Sequence, residues 1–353
     1  MRAGRGPGPH AGHSSTCARR GQAAVLTLAL ALATAGCSSP APADPPVGST
    51  AASTTAPSGA ALTTFSYGPR PAQSADLLLP ARLVTRTDEL RTPSAAPEAG
   101  GPEAAGTPGQ TVDVVVLVHG GYWGAGYDRS LETAVAQDLT DDGIVVWNLD
   151  YRGVGAADPA DEGGWPGTFE DVAAGLDLLP EALASVGLAP DRVAVVGHSA
   201  GGTMALWLAA RHTLPDGAPG AAPAVRPDLV VTQAGVNDLR AAASERGSRV
   251  PVESLMGGAP SQVPDDRYDL ASPTARLPLG VPTLVTTGDQ DTVVVPTIST
   301  GFAEAARAAG DDVTLTVVPG EGHDVHLDPS SASWAGVRAW LAGGGIEPAA
   351  LPR

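Results

Sequence analysis

Only two cysteines occur in the 353 residues, Cys17 and Cys37, both close to the N-terminus. Whatever folds after them therefore has neither a disulfide nor a thiolate metal site. Positive charge is scarce as well. Lysine is absent, and four of the 21 arginines (Arg2, Arg5, Arg19 and Arg20) lie within the first 36 residues, which carry no acid. The remainder sets 17 arginines against 38 aspartates and glutamates, a net charge of −21. A surface this acidic argues against nucleic acid and anionic membrane surfaces as partners. The missing lysine accompanies a heavy load of Ala, Gly and Pro and reads as a composition bias. No solenoid repeat is visible, and no apolar run reaches the length of a standard transmembrane helix. What is present, 43% hydrophobic residues and a mean hydropathy of +0.03, is the composition of a soluble globular chain.

The early arginines form a basic n-region, Ala23 to Ala35 an apolar h-region, and Gly36-Cys37 follows directly. Small residues leading into a cysteine, T-A-G-C, resemble the bacterial lipoprotein signal, in which the cysteine becomes a lipidated N-terminus. Plain secretory cleavage nearby is the competing reading, and both put the body outside the cytoplasm. Residues 1–36 are thus expected to be a signal peptide and 37–61 a disordered Pro/Ser/Thr/Ala tether. Residues 62–345 form the folded domain and 346–353 a tail. Membrane contact is expected only through an anchor at Cys37. Oligomeric state is left open.

From Leu62 the pattern changes. Leu62–Gly68 and Ser74–Pro80 read as an antiparallel edge hairpin, and residues 91–110 as a surface loop. Buried strands are expected at 112–118, 144–149, 193–196, 229–233, 282–287 and 313–318. Helices are expected at 129–139, from Thr168, at 200–211, 297–309 and 331–341. Thr168 reads as an N-cap with Asp171 at N3, and Pro180 as the point where that helix splits. Strands alternating with helices imply an α/β fold: a mostly parallel central sheet with helices on both faces and a site at the carboxyl ends of the strands. Weak periodicity at 239–277 reads as a small insertion, a candidate lid.

Chemistry gathers at those strand ends. Gly197-His198-Ser199-Ala200-Gly201 is G-x-S-x-G between a strand and a helix. A serine on so tight a turn occupies strained backbone space and needs small residues two away on either side. Ser199 is the candidate nucleophile; a helix-capping serine in a glycine-rich turn is the plain alternative. His119-Gly120-Gly121-Tyr122-Trp123 ends an earlier strand, and the N–H groups of Gly121, Tyr122 and Ala200 are assigned to an oxyanion hole. His119 reads as a structural brace. Trp123, like Tyr122, is either pocket wall or core, and Trp165 is a second pocket candidate. Gly288-Asp289-Gln290-Asp291 supplies the acid. Asp291 is assigned, with Asp289 in competition because an Asp just past a strand also forms an Asx-turn. Gly320-Glu321-Gly322-His323 supplies the base, with His326 as the alternative, and His198 has an ordinary turn explanation.

The order Ser…Asp…His, with H-G-G upstream, is that of an α/β-hydrolase triad. From Phe65 onward the chain resembles an α/β-hydrolase of the esterase and lipase kind. It is most similar to the branch of hormone-sensitive-lipase-like esterases, feruloyl-esterase-like proteins and kynurenine formamidases. The resemblance rests on H-G-G-Y-W at His119, D-Y-R-G at Asp150, G-H-S-A-G-G at Gly197, A-S-P at Ala271, G-D-Q-D at Gly288 and G-E-G-H at Gly320. Tyr122 replaces the third glycine of the lipase-type H-G-G-G, as in kynurenine formamidases. The acid loop has one residue more between Asp291 and Pro296 than family members usually show. The resemblance implies a serine hydrolase acting on a small-molecule ester through an acyl-enzyme, with no metal or organic cofactor. Amide or formamide cleavage is the enzymatic alternative, and a non-catalytic binding lipoprotein the remote one. Radioactive palmitate should label the intact chain and spare a Cys37→Ala variant; an unlabelled Cys37 leaves secretion without an anchor.

Overall fold

The computed structural model describes residues 52–55, 61–84 and 110–349. The leader, Cys37 and the expected loop up to residue 109 lie outside the described residues. Within them nine strands form one sheet in the order β1-β2-β3-β5-β4-β6-β7-β8-β9. The strands are β1 (Ala52–Thr55), β2 (Ala61–Ser66), β3 (Ser74–Leu79), β4 (Gln110–Val118), β5 (Val145–Leu149), β6 (Leu188–His198), β7 (Leu229–Gln233), β8 (Thr283–Gly288) and β9 (Val313–Val318). The first three pairings are antiparallel and the rest parallel. This is the mostly parallel sheet expected from the alternation of strands and helices. The hairpin does form, but β1 pairs outside β2, so part of the stretch expected to be a structureless tether adds a strand to the sheet. Ala-Ser-Thr-Thr can extend that edge because the ladder takes backbone groups and asks little of the side chains.

Strand periodicity divides the core in two. Val112, Val114, Val116 and Val118 of β4 enter one apolar cluster, and Val115 and Leu117 the other. On the first face lie α2 (Gly167–Asp177), α3 (Leu179–Ser185), α4 (Ala200–Ala210) and α8 (Pro296–Ala309). On the second lie α1 (Thr133–Asp141) and α9 (Ala332–Gly343). Helix α4 is buried along its whole length, as befits a helix that is apolar all round. It ends at Arg211, whose guanidinium, buried with it, forms a fork on Asp177 at 2.6 and 3.0 Å.

Local departures from the expected pattern have physical causes. Thr168 does not cap α2. It sits one residue inside, donating to Arg152 O and accepting from Gly164 N, while Asp171 is taken by Arg152 and Gln73. The helix expected at 129–139 opens as a 3-10 turn, Arg129–Glu132, capped by Asp128. The 239–277 insertion contains α5 (Leu239–Ala242), α6 (Arg249–Met256) and α7 (Asp265–Ala271). Leu239, Val252, Leu255, Met256 and Tyr268 join the main core, so the segment is a seated wall and not a loose flap. Among the described residues no helix is long and apolar enough to cross a membrane.

One buried group sets a pH dependence of stability. Glu132 is 2% exposed, its Oε1 has no partner, and burial pushes its carboxyl up to about 8. In the unfolded chain it ionises near 4.5, so folding takes up a proton and stability falls as pH rises from there through the folded value. Glu132→Gln should leave the melting temperature unchanged at pH 5 and raise it by roughly 5 °C at pH 8; equal shifts at both values would contradict this origin.

Candidate active site

The strand-to-helix reversal at Ser199 is built from close backbone contacts. Ser199 has φ 55° and ψ −120°, a conformation that a residue with a side chain rarely adopts. A Cβ on Gly197 would collide with the Gly201 carbonyl, and one on Gly201 with the carbonyls of Val118 and His119. The two motif glycines thus let the turn close on itself and let it press against the end of β4. Ser199 N–H donates to Gln233 O at 2.8 Å, fastening the turn to β7 as well.

Around Ser199 the structure assembles Asp291 and His323. The Ser199 hydroxyl lies 2.9 Å from His323 Nε2, and His323 Nδ1 lies 2.7 Å from Asp291 Oδ2. Asp291 Oδ1 accepts the N–H groups of Val293 and Val294 at 2.8 and 2.9 Å. Burial opposes the Asp291 charge, but the His323 hydrogen bond and charge and these two donations outweigh it and hold the carboxyl below its usual range. Asp289 has a different task. It is exposed, and its Oδ1 accepts Gly320 N–H at 2.7 Å. With Asp289 N–H on Val318 O and Gln290 N–H on Glu321 O, both 3.0 Å, it zips the acid loop to the histidine loop. Gly288 permits the approach, since a Cβ there would strike the Glu321 backbone.

The H-G-G-Y-W loop passes over the same turn. A Cβ at Gly120 would press on His198 O and on Ser199 Cβ at 3.0 and 3.1 Å. Gly121, Tyr122 and Trp123 have φ of 101°, 57° and 55°, a run of left-handed backbone that turns successive N–H groups. Trp123 is buried, and its indole N–H donates to Ala200 O at 3.0 Å, tying the donor loop to the start of α4. A cleft beside Ser199 is lined by Tyr122, Trp123 and Ala200 on this side. Trp165 does not line it. Its ring packs edge-on to Phe169, 5.0 Å between centroids, and its backbone N–H is held by Leu255 O, because the 153–167 loop folds against the core.

His119 braces the loop. Its ring stacks on Tyr151 at 4.2 Å and meets Asp150 Oδ1 at 3.1 Å, while Tyr151 donates its hydroxyl to His119 O at 2.8 Å. Arg129 bridges Asp150 to Asp76, and Arg152 forks onto Asp171. D-Y-R-G is thus a scaffold for the donor loop, a role its residue types did not reveal.

His198 has more than a turn role. Its Nε2–H donates to His323 O at 2.9 Å, holding the backbone of the residue that faces Ser199. The only hint in the sequence was a histidine beside the serine. His326 is fully buried behind His198, with ring centroids 5.9 Å apart and neither nitrogen partnered. Burial first, then the neighbouring imidazoles, lower His198 to about 4 and His326 to about 3. Both therefore stay neutral at ordinary pH. Among the described residues His198, His323 and Asp324 bring three ligand-type atoms within 4.8 Å. Both nitrogens of His323 are already engaged by Asp291 and Ser199, so the group makes no case for a metal.

Solved structures share this architecture. The chain resembles a truncated carbohydrate esterase from gut microbiota (18% identity, 82% of this chain and 98% of that one, TM-score 0.63). Esterase B from Lactobacillus rhamnosis is similar too (19%, 82% and 86%, TM-score 0.62). So is a bifunctional GH43-CE protein from Bacteroides eggerthii (21%, 79% of this chain, TM-score 0.59), of whose length the chain spans only 37%. No curated protein sequence matches. At these identities the likeness is one of fold: the protein has the α/β-hydrolase fold. Residues 104–305, more than half of the chain, match the BD-FAE family model, and the chain belongs to that family. The match takes in Ser199 and Asp291 and stops short of His323, which rests on its own motif and on the geometry.

The two acids should separate cleanly. Asp291→Asn is expected to cost about 10³–10⁴-fold in kcat, because the amide no longer favours the productive imidazole tautomer. Asp289→Asn keeps its Oδ1 acceptor for Gly320 and should stay within about threefold. Steady-state kinetics on one ester would reverse the assignment if the losses were exchanged.

Proposed function

We propose that the chain hydrolyses carboxylic esters through an acyl-enzyme on Ser199. The observation that carries this reading is a strained serine whose hydroxyl lies 2.9 Å from an imidazole that an aspartate holds by its other nitrogen. The Ser199 hydroxyl donates to neutral His323 Nε2, so the base takes the proton as Oγ attacks the ester carbonyl. Asp291, already charged, steadies the imidazolium that forms. Charge developing on the carbonyl oxygen is taken by the N–H groups of Gly121, Tyr122 and Ala200. No backbone or side-chain acceptor among the described residues competes for them. His323 then protonates the leaving alcohol and, in the second half, draws a proton from the water that frees the acid.

The leader supports an extracytoplasmic site of action, with the chain tethered through a lipidated Cys37. The substrate is a small molecule that enters the strand-end cleft. Ser199→Ala should reduce hydrolysis of p-nitrophenyl acetate to the uncatalysed rate and abolish labelling by a fluorophosphonate probe. Undiminished turnover would refute the assignment.

A further inference from the structure

One arginine stands apart from the others. Lysine is absent, so arginine supplies every permanent positive charge on a side chain. Among the described residues every other arginine has a side-chain hydrogen bond or ion pair. Some rest on carboxylates, as Arg240 does on Asp269, and some on main-chain carbonyls, as Arg267 does on Met256 O. Arg246 has neither, although Glu245 precedes it directly. It is exposed, and an unpaired guanidinium in water is unremarked by itself; its position decides what it can do.

That position is the mouth of the cleft. The next two residues, Gly247 and Ser248, line the cleft beside Ser199. A Cβ on Gly247 would lie 3.1 Å from Val293 O, so this stretch is seated against the acid loop. Ser248 is 6% exposed, yet its hydroxyl makes no hydrogen bond. It stands at the N-cap of α6, where a serine commonly accepts the N–H of the third helical residue. Here that residue is Pro251, which has no N–H to give. The hydroxyl is therefore left to whatever enters the cleft. The start of α6 adds the positive end of its dipole at the same place.

A free guanidinium, a buried hydroxyl without a partner and a helix start thus meet within Arg246–Arg249. All three favour a negatively charged oxygen. We propose that Arg246 and Ser248 form an anion-binding subsite at the mouth of the cleft, and that the substrate is an ester bearing a carboxylate or phosphate group of its own. This rests on the ester-hydrolase reading and adds the charge of the substrate to it. The folded body, with its net charge of −21, repels anions at a distance. Selection of an anionic ester therefore arises from local pairing with Arg246 and not from long-range steering.

The test measures kcat/KM of the full chain for two matched pairs, with Ser199→Ala as background. The first pair is 4-nitrophenyl hydrogen succinate and its methyl ester, with the charge on the acyl side. The second is 4-acetoxybenzoate and 4-acetoxybenzamide, with the charge on the alcohol side. In at least one pair the anion should be favoured about tenfold, the order of one charge-assisted hydrogen bond. Arg246→Ala should erase that preference, with the loss falling on KM, and Arg246→Lys should restore part of it. Ser248→Ala should lower it about threefold. No preference in either pair, or one that persists in Arg246→Ala, overturns the anion subsite and leaves the ester reading intact. Inorganic phosphate that alters turnover of the neutral esters only while Arg246 is present, with no preference within the pairs, would assign the subsite to a free anion and overturn the substrate assignment. A folded chain that hydrolyses none of the four, nor p-nitrophenyl acetate, overturns the ester reading as well.

Discussion

Everything at the site depends on how closely two stretches of backbone approach at the end of β6. Gly197 and Gly201 touch across the turn, and Gly201 rests on the carbonyls that end β4. No side chain fits in either gap, and a methyl group at either position would push the serine turn off the sheet. That contact lifts Ser199 above the strand ends. It also brings β4 and the H-G-G-Y-W loop against the same turn, so one packing constraint positions Ser199 and the Gly121–Tyr122 backbone together. The strain in Ser199 is held by a hydrogen bond to β7, by the fully buried α4 and by the indole of Trp123.

A second layer of contacts aligns the strand ends with one another. Asp150 receives His119 and Arg129, and Arg129 continues to Asp76 on β3. Asp289 plays the matching part on the other side by joining the loops after β8 and β9. The ion pairs around Asp150 are partly buried and share partners, which suits a positioning role better than isolated surface pairs would. Catalytic geometry here is a property of loops fixed to each other as much as of the strands that feed them.

The parallel sheet, its order of strands and helices, and the G-x-S-x-G turn were legible because each has a periodicity or a steric rule behind it. Four of the six expected buried strands lie within a residue of their expected bounds at both ends. Thr168 shows where such reading stops: a residue suited to capping was recruited by Arg152 and Gly164, which are distant in the pattern and close in space. The roles of Trp165 and His198 were hidden for the same reason. Whether an aromatic ring faces a cleft or a core, and which carbonyl an imidazole finds, depend on tertiary packing that residue type does not encode. The contest between Asp289 and Asp291 likewise turned on two residues of loop geometry. The strand at Ala52–Thr55 was missed because its side chains carry no apolar alternation; the neighbouring ladder recruits it.

The histidine loop hangs from β9, which among the described residues is the border strand of the sheet, paired only with β8. Three of its six residues, Thr314, Thr316 and Val317, face solvent. A strand with one neighbour frays more readily than those enclosed by two. Warming therefore loosens His323 before Ser199, which is anchored mid-sheet. Heat would carry His323 away from Ser199 while most of the secondary structure was still in place.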